Sequence, residues 1–413
     1  MRVLVVGSGG REHALVRALS EDASVSYLHA APGNPGMAEL AAVHAVAATD
    51  IPGITALAAD LEADLVVVGP EAPLVAGLAD ALREAGIACF GPSAAAARLE
   101  GSKAFAKDVM TSAGVPTAAA YTCESAAEVE KALDAFGPPY VVKQDGLAAG
   151  KGVVVTRDRA AALAHAEGAG RVVVEEFLDG PEFSLFAVTD GTTVVPMPPA
   201  QDFKRAHDGD EGPNTGGMGA YSPLPWAPAG LVDDVVARIV QPTVDEMRDR
   251  GIPFAGLLYA GLALTAQGPK VVEFNCRLGD PDGLVVLARL RSPLGPLLHA
   301  AATGALASAT QPVWSDDAAV TVVVAAENYP GAPVAGDPID GLDAAAAVPG
   351  AYVLQAGTRR EGDALVTAGG RLLDVVGVGS TLADARTSAY DAVSRIRIRG
   401  SHHRTDIAAA AAG

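Results

Sequence analysis

The chain has 413 residues, half of them hydrophobic, and a formal net charge of −19. That length and apolar content support two or three domains around a sizeable core, and the acidic balance excludes a nucleic-acid partner, which requires a basic face. No apolar run approaches the roughly 20 residues that span a bilayer, so no membrane association is expected, and three widely spaced cysteines without metal-ligand spacing (Cys89, Cys123, Cys276) fit a reduced, cytoplasmic protein.

Met1 to Val6 reads as a strand and not a secretion signal, because glycines and charges follow at once. Gly7-Ser8-Gly9-Gly10-Arg11-Glu12-His13 then turns into a helix beginning near Ala14. Glycines let backbone approach an anion at a helix N-terminus, but His13 stands where a dinucleotide fingerprint needs its third glycine, so no dinucleotide site is expected. The loops Ala31 to Gly36 and Val68 to Leu74 follow strand-like stretches, the position at which open α/β sheets bind ligands. Strands alternating with Ala-rich helices over residues 1 to 102 predict a doubly wound parallel sheet.

Glu100-Gly101-Ser102-Lys103 opens a helical run to Ala113. An apolar strand then delivers Lys143, a loop of small residues carries Lys151, and a second apolar strand follows. This is a hairpin able to lie over phosphates, not a Walker A loop, since no G-x-x-x-x-G-K-[ST] opens a helix. Val172 to Val174 runs into Glu175-Glu176-Phe177-Leu178-Asp179-Gly180-Pro181-Glu182. The most informative stretch is Val271-Val272-Glu273-Phe274-Asn275-Cys276-Arg277, a buried strand ending in a carboxylate, an amide and a guanidinium at alternate positions. Alternate side chains share one face of a strand. Glu273 and Asn275 offer hard oxygens suited to Mg²⁺ or Mn²⁺, and Arg277 offers a forked donor for phosphate or carboxylate. Toward the end, strands at Ala319 to Ala325 and Arg371 to Val378 and a helix from Leu382 to Ile396 predict an α+β unit. His402-His403 is expected in a solvated turn, and the Ala408 to Ala412 tail is expected to fray.

The three lysines, the Glu-Glu-Phe-Leu segment and the Glu-x-Asn-x-Arg strand resemble the ATP-grasp ligases in order and spacing. The resemblance narrows to the glycinamide ribonucleotide synthetase family. It rests on G-S-G-G-R-E-H from Gly7, A-P-G-N from Ala31, G-P-E-A-P-L from Gly69, the E-G-S-K ending at Lys103, G-P-N-T-G-G-M-G from Gly212 and A-A-E-N-Y-P-G from Ala325. It covers essentially the whole chain.

The resemblance implies an N-terminal doubly wound domain (1–102), an ATP-grasp domain (103–302) with a small lid at about 115–178, and a C-terminal α+β cap (315–413). It implies a cytoplasmic, monomeric ligase using ATP and a divalent metal to join glycine to 5-phosphoribosylamine through a glycyl phosphate. Lys143, Lys151 and Arg277 are its expected catalytic residues. ATP falls to Lys103, Lys143 and Lys151, with Glu175, Glu176 and Leu178 around adenine and Glu182 on the ribose; metal falls to Glu273 and Asn275. The ribosylamine phosphate is expected on Gly9, Gly10 and Arg11, with Glu71 near its ribose. Glycine and the amine are expected near Asp202, Lys204, Arg205, Asn214, Thr215, Gly216, Gly217, Arg277 and Asp280, with the glycine-rich loop offering N–H groups to an anion.

The chain departs from the family pattern in places. Where the family carries F-G-D-P-E-T-Q, this chain has Leu278-Gly279-Asp280-Pro281-Asp282-Gly283-Leu284, which loses hydrogen-bonding groups and implies weaker substrate use. The loop Ala206 to Glu211 and the tail after Ile407 also differ, and no second acid precedes Glu273 on Leu257 to Leu264. A ligase for a different carboxylate or amine, and a non-catalytic nucleotide-binding protein, are the alternative readings.

Overall fold

The computed structural model describes residues 1–147 and 152–413. Its first sheet is built from β1 (Arg2–Gly7), β2 (Tyr27–Pro32), β3 (Ala42–Val43), β4 (Leu65–Val68) and β5 (Cys89–Phe90), all parallel, in the order β3-β2-β1-β4-β5. Along β1, Leu4 and Val6 enter one core while Val3 and Val5 enter another. A strand covered on both faces has no polar side to show, which is why its sequence runs apolar without alternation. The helix Gly10–Ser20 follows β1 directly and starts earlier than the sequence predicts. Glu12 accounts for the early start: its Oε2 accepts the Gly9 N–H at 2.6 Å, capping its own helix. The carboxylate needs bare backbone beside it, since a Cβ on Gly69 would stand 2.1 Å from Glu12 Oε1.

The lid is an antiparallel sheet, β6 (Ala120–Cys123), β7 (Tyr140–Gln144), β8 (Val153–Thr156) and β9 (Val172–Glu175), in the order β6-β9-β7-β8. Two helices, Ala126–Phe136 and Arg159–Ala166, cover it, and Val129, Leu133, Val142 and Val174 form its separate small core. Facing the lid is a second antiparallel sheet. Its strands β10 (Glu182–Asp190), β11 (Val194–Pro196), β16 (Ala255–Thr265) and β17 (Gly268–Asn275) are ordered β11-β10-β16-β17. Between them in the chain lie β12 (Gln201–Asp202), β13 (Arg205–His207), β14 (Glu211–Asn214) and β15 (Gly219–Ser222).

The C-terminal strands are β18 (Ala318–Ala325), β19 (Ala351–Gln355), β20 (Thr358–Glu361), β21 (Ala364–Thr367) and β22 (Arg371–Gly379). Their main sheet runs β12-β15-β18-β22-β19, so two strands from the middle of the chain complete it. The expected cap is therefore stitched into the middle of the chain by backbone hydrogen bonds. The helix Leu382–Val393 lies close on this sheet, where a Cβ on Gly377 would meet Ala385 O at 2.1 Å.

The tail corrects an expectation. Ile407 and Ala408 are buried, and Arg404, 1% exposed, pairs with Asp406 at 2.7 Å and stacks over Phe203 at 4.9 Å. A short apolar anchor outweighs the low complexity around it. His402 is half-buried and bridges Ala325, so only His403 is the exposed residue expected there. Ile407→Ala should lower unfolding free energy by about 2–4 kcal/mol, the usual cost of an emptied core site. Urea denaturation measures this; an unchanged midpoint would mean that the tail contributes no packing.

Candidate functional site

A cleft of about 1260 Å³ separates the lid from the β10-β16-β17 sheet and reaches the first and last sheets. Ten of the chain's 30 lysines and arginines line it. The positive charge that an acidic protein needs for a phosphate ligand is concentrated at this one place.

At the lid end, Lys143 on β7 is 4% exposed and its Nζ is doubly held, by Glu175 Oε2 at 2.8 Å and by the Val272 carbonyl at 2.8 Å. Val272 is free to accept because β17 bulges there: Glu273 opposes Gly261, but Val271 opposes Leu262. Glu175 spends its other oxygen on Lys107, Nζ to Oε1 3.1 Å. Burial pulls the Lys107 ammonium down to about 8, against the opposing pull of Glu175. Lys103 donates to the Gly146 carbonyl at 3.0 Å and is lowered by burial, with Glu273 opposing. Lys151 lies outside the described residues. Glu176, Leu178 and Glu182 all line the cleft, and Glu182 pairs with Lys204 at 2.7 Å. Its carboxyl is held below the usual range by the Lys204 charge, against the effect of burial.

Glu273 and Asn275 lie at the end of β17 on the cleft wall with Arg277 just beyond. Among the described residues Glu273 has no ion pair. Arg277 reaches Glu100 at 3.1 Å, Glu71 at 3.4 Å and Asn275 Oδ1 at 3.3 Å. Burial would discharge this guanidinium, but Glu100 and Glu71 overcome it and raise its pKa. In return Glu71 is lowered: burial opposes ionisation, and Arg277 and then Arg11 outweigh it. Asp202 is pushed up to about 7, first by burial and then by Asp282, Glu182 and Glu273, with Lys204 opposing.

The structure brings most of the expected residues to this cleft, including Arg11, Glu71, Asp202, Lys204, Arg205, Asn214, Thr215, Gly216 and Asp280. Three do not line it: Gly9, Gly10 and Gly217. Gly10 is buried, and a Cβ on it would stand 1.9 Å from Asp374 Oδ2, so an acid faces the place expected for phosphate. Gly217 packs on Pro281 at φ +112°. Nor is the glycine-rich loop an open anion nest. The Thr215, Gly216 and Gly217 N–H groups already donate to the Lys204 carbonyl, the Tyr329 hydroxyl and Thr215 Oγ1.

Sequence reasoning missed Lys107, Glu100, Glu12 and Arg371. Lys107 was findable, since it follows Lys103 by four positions on the helix Lys103–Ser112. Arg371 belongs to the Gly369-Gly370-Arg371 string that also resembles the family, but nothing in the sequence shows its partners. It joins distant segments, donating to the Gly216 carbonyl at 2.7 Å and the Asp280 carbonyl at 2.8 Å.

The altered Asp282–Leu284 segment is also clarified. Asp282 lines the cleft, whereas Gly283 and Leu284 are buried away from it on the helix Asp282–Ala288. A Cβ on Gly283 would meet Leu278 Cγ at 2.4 Å, and Leu284 is fully buried in an apolar cluster. These two positions therefore report on packing and not on substrate, which removes two of the three grounds for expecting weaker substrate use.

The fold and the site together define an ATP-grasp protein: a lid and a sheet holding lysines across from a Glu-x-Asn strand end. The comparisons narrow this. The phosphoribosylglycinamide synthetase N domain matches residues 1–100, its ATP-grasp (A) domain 101–283 and its C domain 319–410. The chain belongs to the phosphoribosylglycinamide synthetase family. It is 68% identical to a phosphoribosylamine–glycine ligase of Streptomyces coelicolor, with all of both chains covered. It is 57% identical to that of Mycobacterium tuberculosis, over 100% of this chain and 99% of the relative. A phosphoribosylamine–glycine ligase structure from Thermotoga maritima superposes with a TM-score of 0.85 at 33% identity, covering 98% of this chain and 100% of that one. The biotin carboxylase domain of a Hydrogenobacter thermophilus 2-oxoglutarate carboxylase shares the fold, with a TM-score of 0.73 at 16% identity over 97% and 91% of the two chains.

Two predictions follow from this geometry. The double variant Gly283→Thr, Leu284→Gln should unfold about 2–4 kcal/mol more easily, through overpacking against Leu278 and a buried amide. An unaltered melt would place both residues outside the core. The second concerns Asp374, 1% exposed, whose carboxyl is pushed up to about 8 by burial and by Asp280, with Arg371 opposing. A raised pKa means the folded state holds a proton that the unfolded state loses, so its stability contribution is full below about 4 and fades as pH rises toward 8. Asp374→Asn should therefore raise the melting temperature at pH 8 by several degrees more than at pH 5. Equal shifts at both pH values would show that this carboxyl titrates normally.

Proposed function

We propose that the chain is an ATP-dependent ligase that joins glycine to 5-phosphoribosylamine, giving glycinamide ribonucleotide, ADP and phosphate, a step of purine biosynthesis. The observation that carries this reading is the convergence of Lys103, Lys107 and Lys143 on the cleft that Glu273 and Asn275 also line. The full-length likeness to ligases of that name supports it.

A glycine carboxylate oxygen attacks the γ-phosphorus of ATP and ADP departs, leaving glycyl phosphate. The ribosylamine nitrogen then attacks the acyl carbon, the C–O bond to phosphate breaks, and the nitrogen loses a proton. Lys143 and Lys103 would neutralise the ATP phosphates, with Lys151 assigned the same work from the sequence alone. The Glu175 carboxylate acts one step removed, holding Lys143 and Lys107 in place, while the backbone beside it, Glu176 and Leu178 would border the adenine. Glu182 would take the ribose. Glu273 and Asn275 fit a hard divalent cation, being oxygen donors side by side with the carboxylate unpaired among the described residues. Mg²⁺ or Mn²⁺ held there would screen phosphate charge during transfer. Arg277, fixed by Glu100 and Glu71, would orient the glycine carboxylate or the γ-phosphoryl group. Asp202, Lys204, Arg205 and Asn214 would line the acceptor side, with Arg11 and Glu71 toward the ribosylamine. Closure of the lid over this cleft would protect the acyl phosphate from water.

Action as a monomer is part of the same reading, and three free buried cysteines support a reducing, cytoplasmic setting. Among the described residues no helix is long and apolar enough to cross a membrane. The test is ADP release with ATP, a divalent metal, glycine and phosphoribosylamine. Glu273→Ala should cut turnover by at least about 100-fold with an unchanged circular dichroism spectrum. Near-normal turnover would remove Glu273 from the metal site, and a wild type that needs a different amino acid would overturn the substrate assignment.

A further inference from the structure

The cleft holds a buried acid that the described residues leave incomplete. Asp282 is 2% exposed, lines the cleft, and its Oδ2 has no hydrogen-bond partner among the described residues. Its other oxygen accepts only the neighbouring Gly283 N–H at 3.1 Å. The carboxylate is not there by accident of space. It packs against bare backbone at Gly279, where a Cβ would stand 1.8 Å from Oδ1. A carboxylate withdrawn from water with half its acceptor capacity unused is costly unless a cation completes it.

The surroundings define the cation. Asp282 shares its end of the cleft with Asp202 and Glu273, and all three bear on the Tyr259 phenol, whose Oη meets Ser184 Oγ at 2.9 Å. Lys204 answers part of that negative charge and is itself paired with Glu182. A small cation is wanted, in the same cleft as Glu273. The metal already has its proposed oxygen donors in Glu273 and Asn275. The attacking ribosylamine nitrogen must be neutral. The remaining cation in the reaction is the ammonium of glycine, two bonds from the carboxylate that must face the phosphates.

We infer that Asp282 is the residue that selects glycine, by pairing its unpartnered carboxylate oxygen with the substrate ammonium while the substrate carboxylate faces Glu273 and Arg277. This rests on the ligase reading above. The carboxylate also explains how the site would reject a carboxylic acid lacking the amine: such a ligand leaves the buried charge unpaired.

The experiment compares wild type, Asp282→Asn and Asp282→Glu in ADP release, with glycine and with glycolate, which carries a hydroxyl in place of the ammonium. Glycine binding is measured in parallel by calorimetry. For Asp282→Asn the KM and Kd for glycine should rise about 10- to 100-fold, the worth of one charge-assisted hydrogen bond. The KM for ATP should stay within about twofold, and the preference for glycine over glycolate should shrink by a similar 10- to 100-fold factor. Asp282→Glu, which keeps the charge, should recover most of the preference. Unchanged glycine affinity and preference in Asp282→Asn would overturn the assignment, as would an equal loss in both variants with ATP affinity falling alongside, which marks a structural role. A wild type releasing no ADP with glycine would overturn the ligase reading and this assignment with it. A normal wild type beside an unmoved Asp282→Asn overturns the assignment alone.

Discussion

The knot at Glu175 is the constraint on which the site depends. One buried carboxylate holds Lys143 at 2.8 Å and Lys107 at 3.1 Å, and Lys143 also donates to a carbonyl on β17. Two ammonium groups this close repel each other, and the shared acid between them supplies the opposing charge in a protein of net charge −19. The same contacts cross from lid to body, because Glu175 and Lys143 are lid residues, Lys107 lies on the helix before the lid, and Val272 lies on the facing sheet. Charge pairing and the placement of this sheet against the body are therefore one interaction.

A comparable logic organises the far end. Arg371 on β22 donates to carbonyls of Gly216 and Asp280, so the C-terminal sheet, the glycine-rich loop and the segment after β17 are tied through one guanidinium. Sharing β12 and β15 between the middle and the end of the chain does the same in backbone hydrogen bonds. This end of the cleft is consequently assembled from three stretches far apart in sequence, and none of them forms the surface alone. This is why the glycine-rich loop uses its N–H groups internally: its task is to hold backbones together, and glycine is required at 217 because Pro281 packs on it.

Much of the fold was legible because it rests on local signals. Unbroken apolar runs gave β1, β4 and β18, alternation gave Glu273 and Asn275 a common face, and the hairpin around Lys143 followed from two apolar strands flanking small residues. What was not legible depends on partners distant in sequence. Gly10 reads as an anion site until Asp374, more than 300 residues later, stands beside it. Gly283 and Leu284 read as lost substrate contacts until Leu278 and the surrounding core show them to be packing. The tail reads as frayed because composition cannot show that Ile407 finds a core and Arg404 finds Phe203. Lys107 is the exception, a local signal at helical spacing that was passed over.

The cleft carries charges of both signs. Toward the lid the cations are fixed by acids they share, as at Glu175, so the site is preorganised for incoming negative charge with little rearrangement. Toward Asp202 and Asp282 carboxylates gather beside Lys204, and burial followed by their charge raises Asp202 to about 7. Glu273 and Asn275 stand at the end of β17 in the same cleft. On the proposed ligase reading, glycine would lie with its carboxylate toward the lysines and its ammonium toward Asp282. Orientation of that kind is worth more here than tight binding, since only the turned molecule presents its carboxylate to a phosphoryl group.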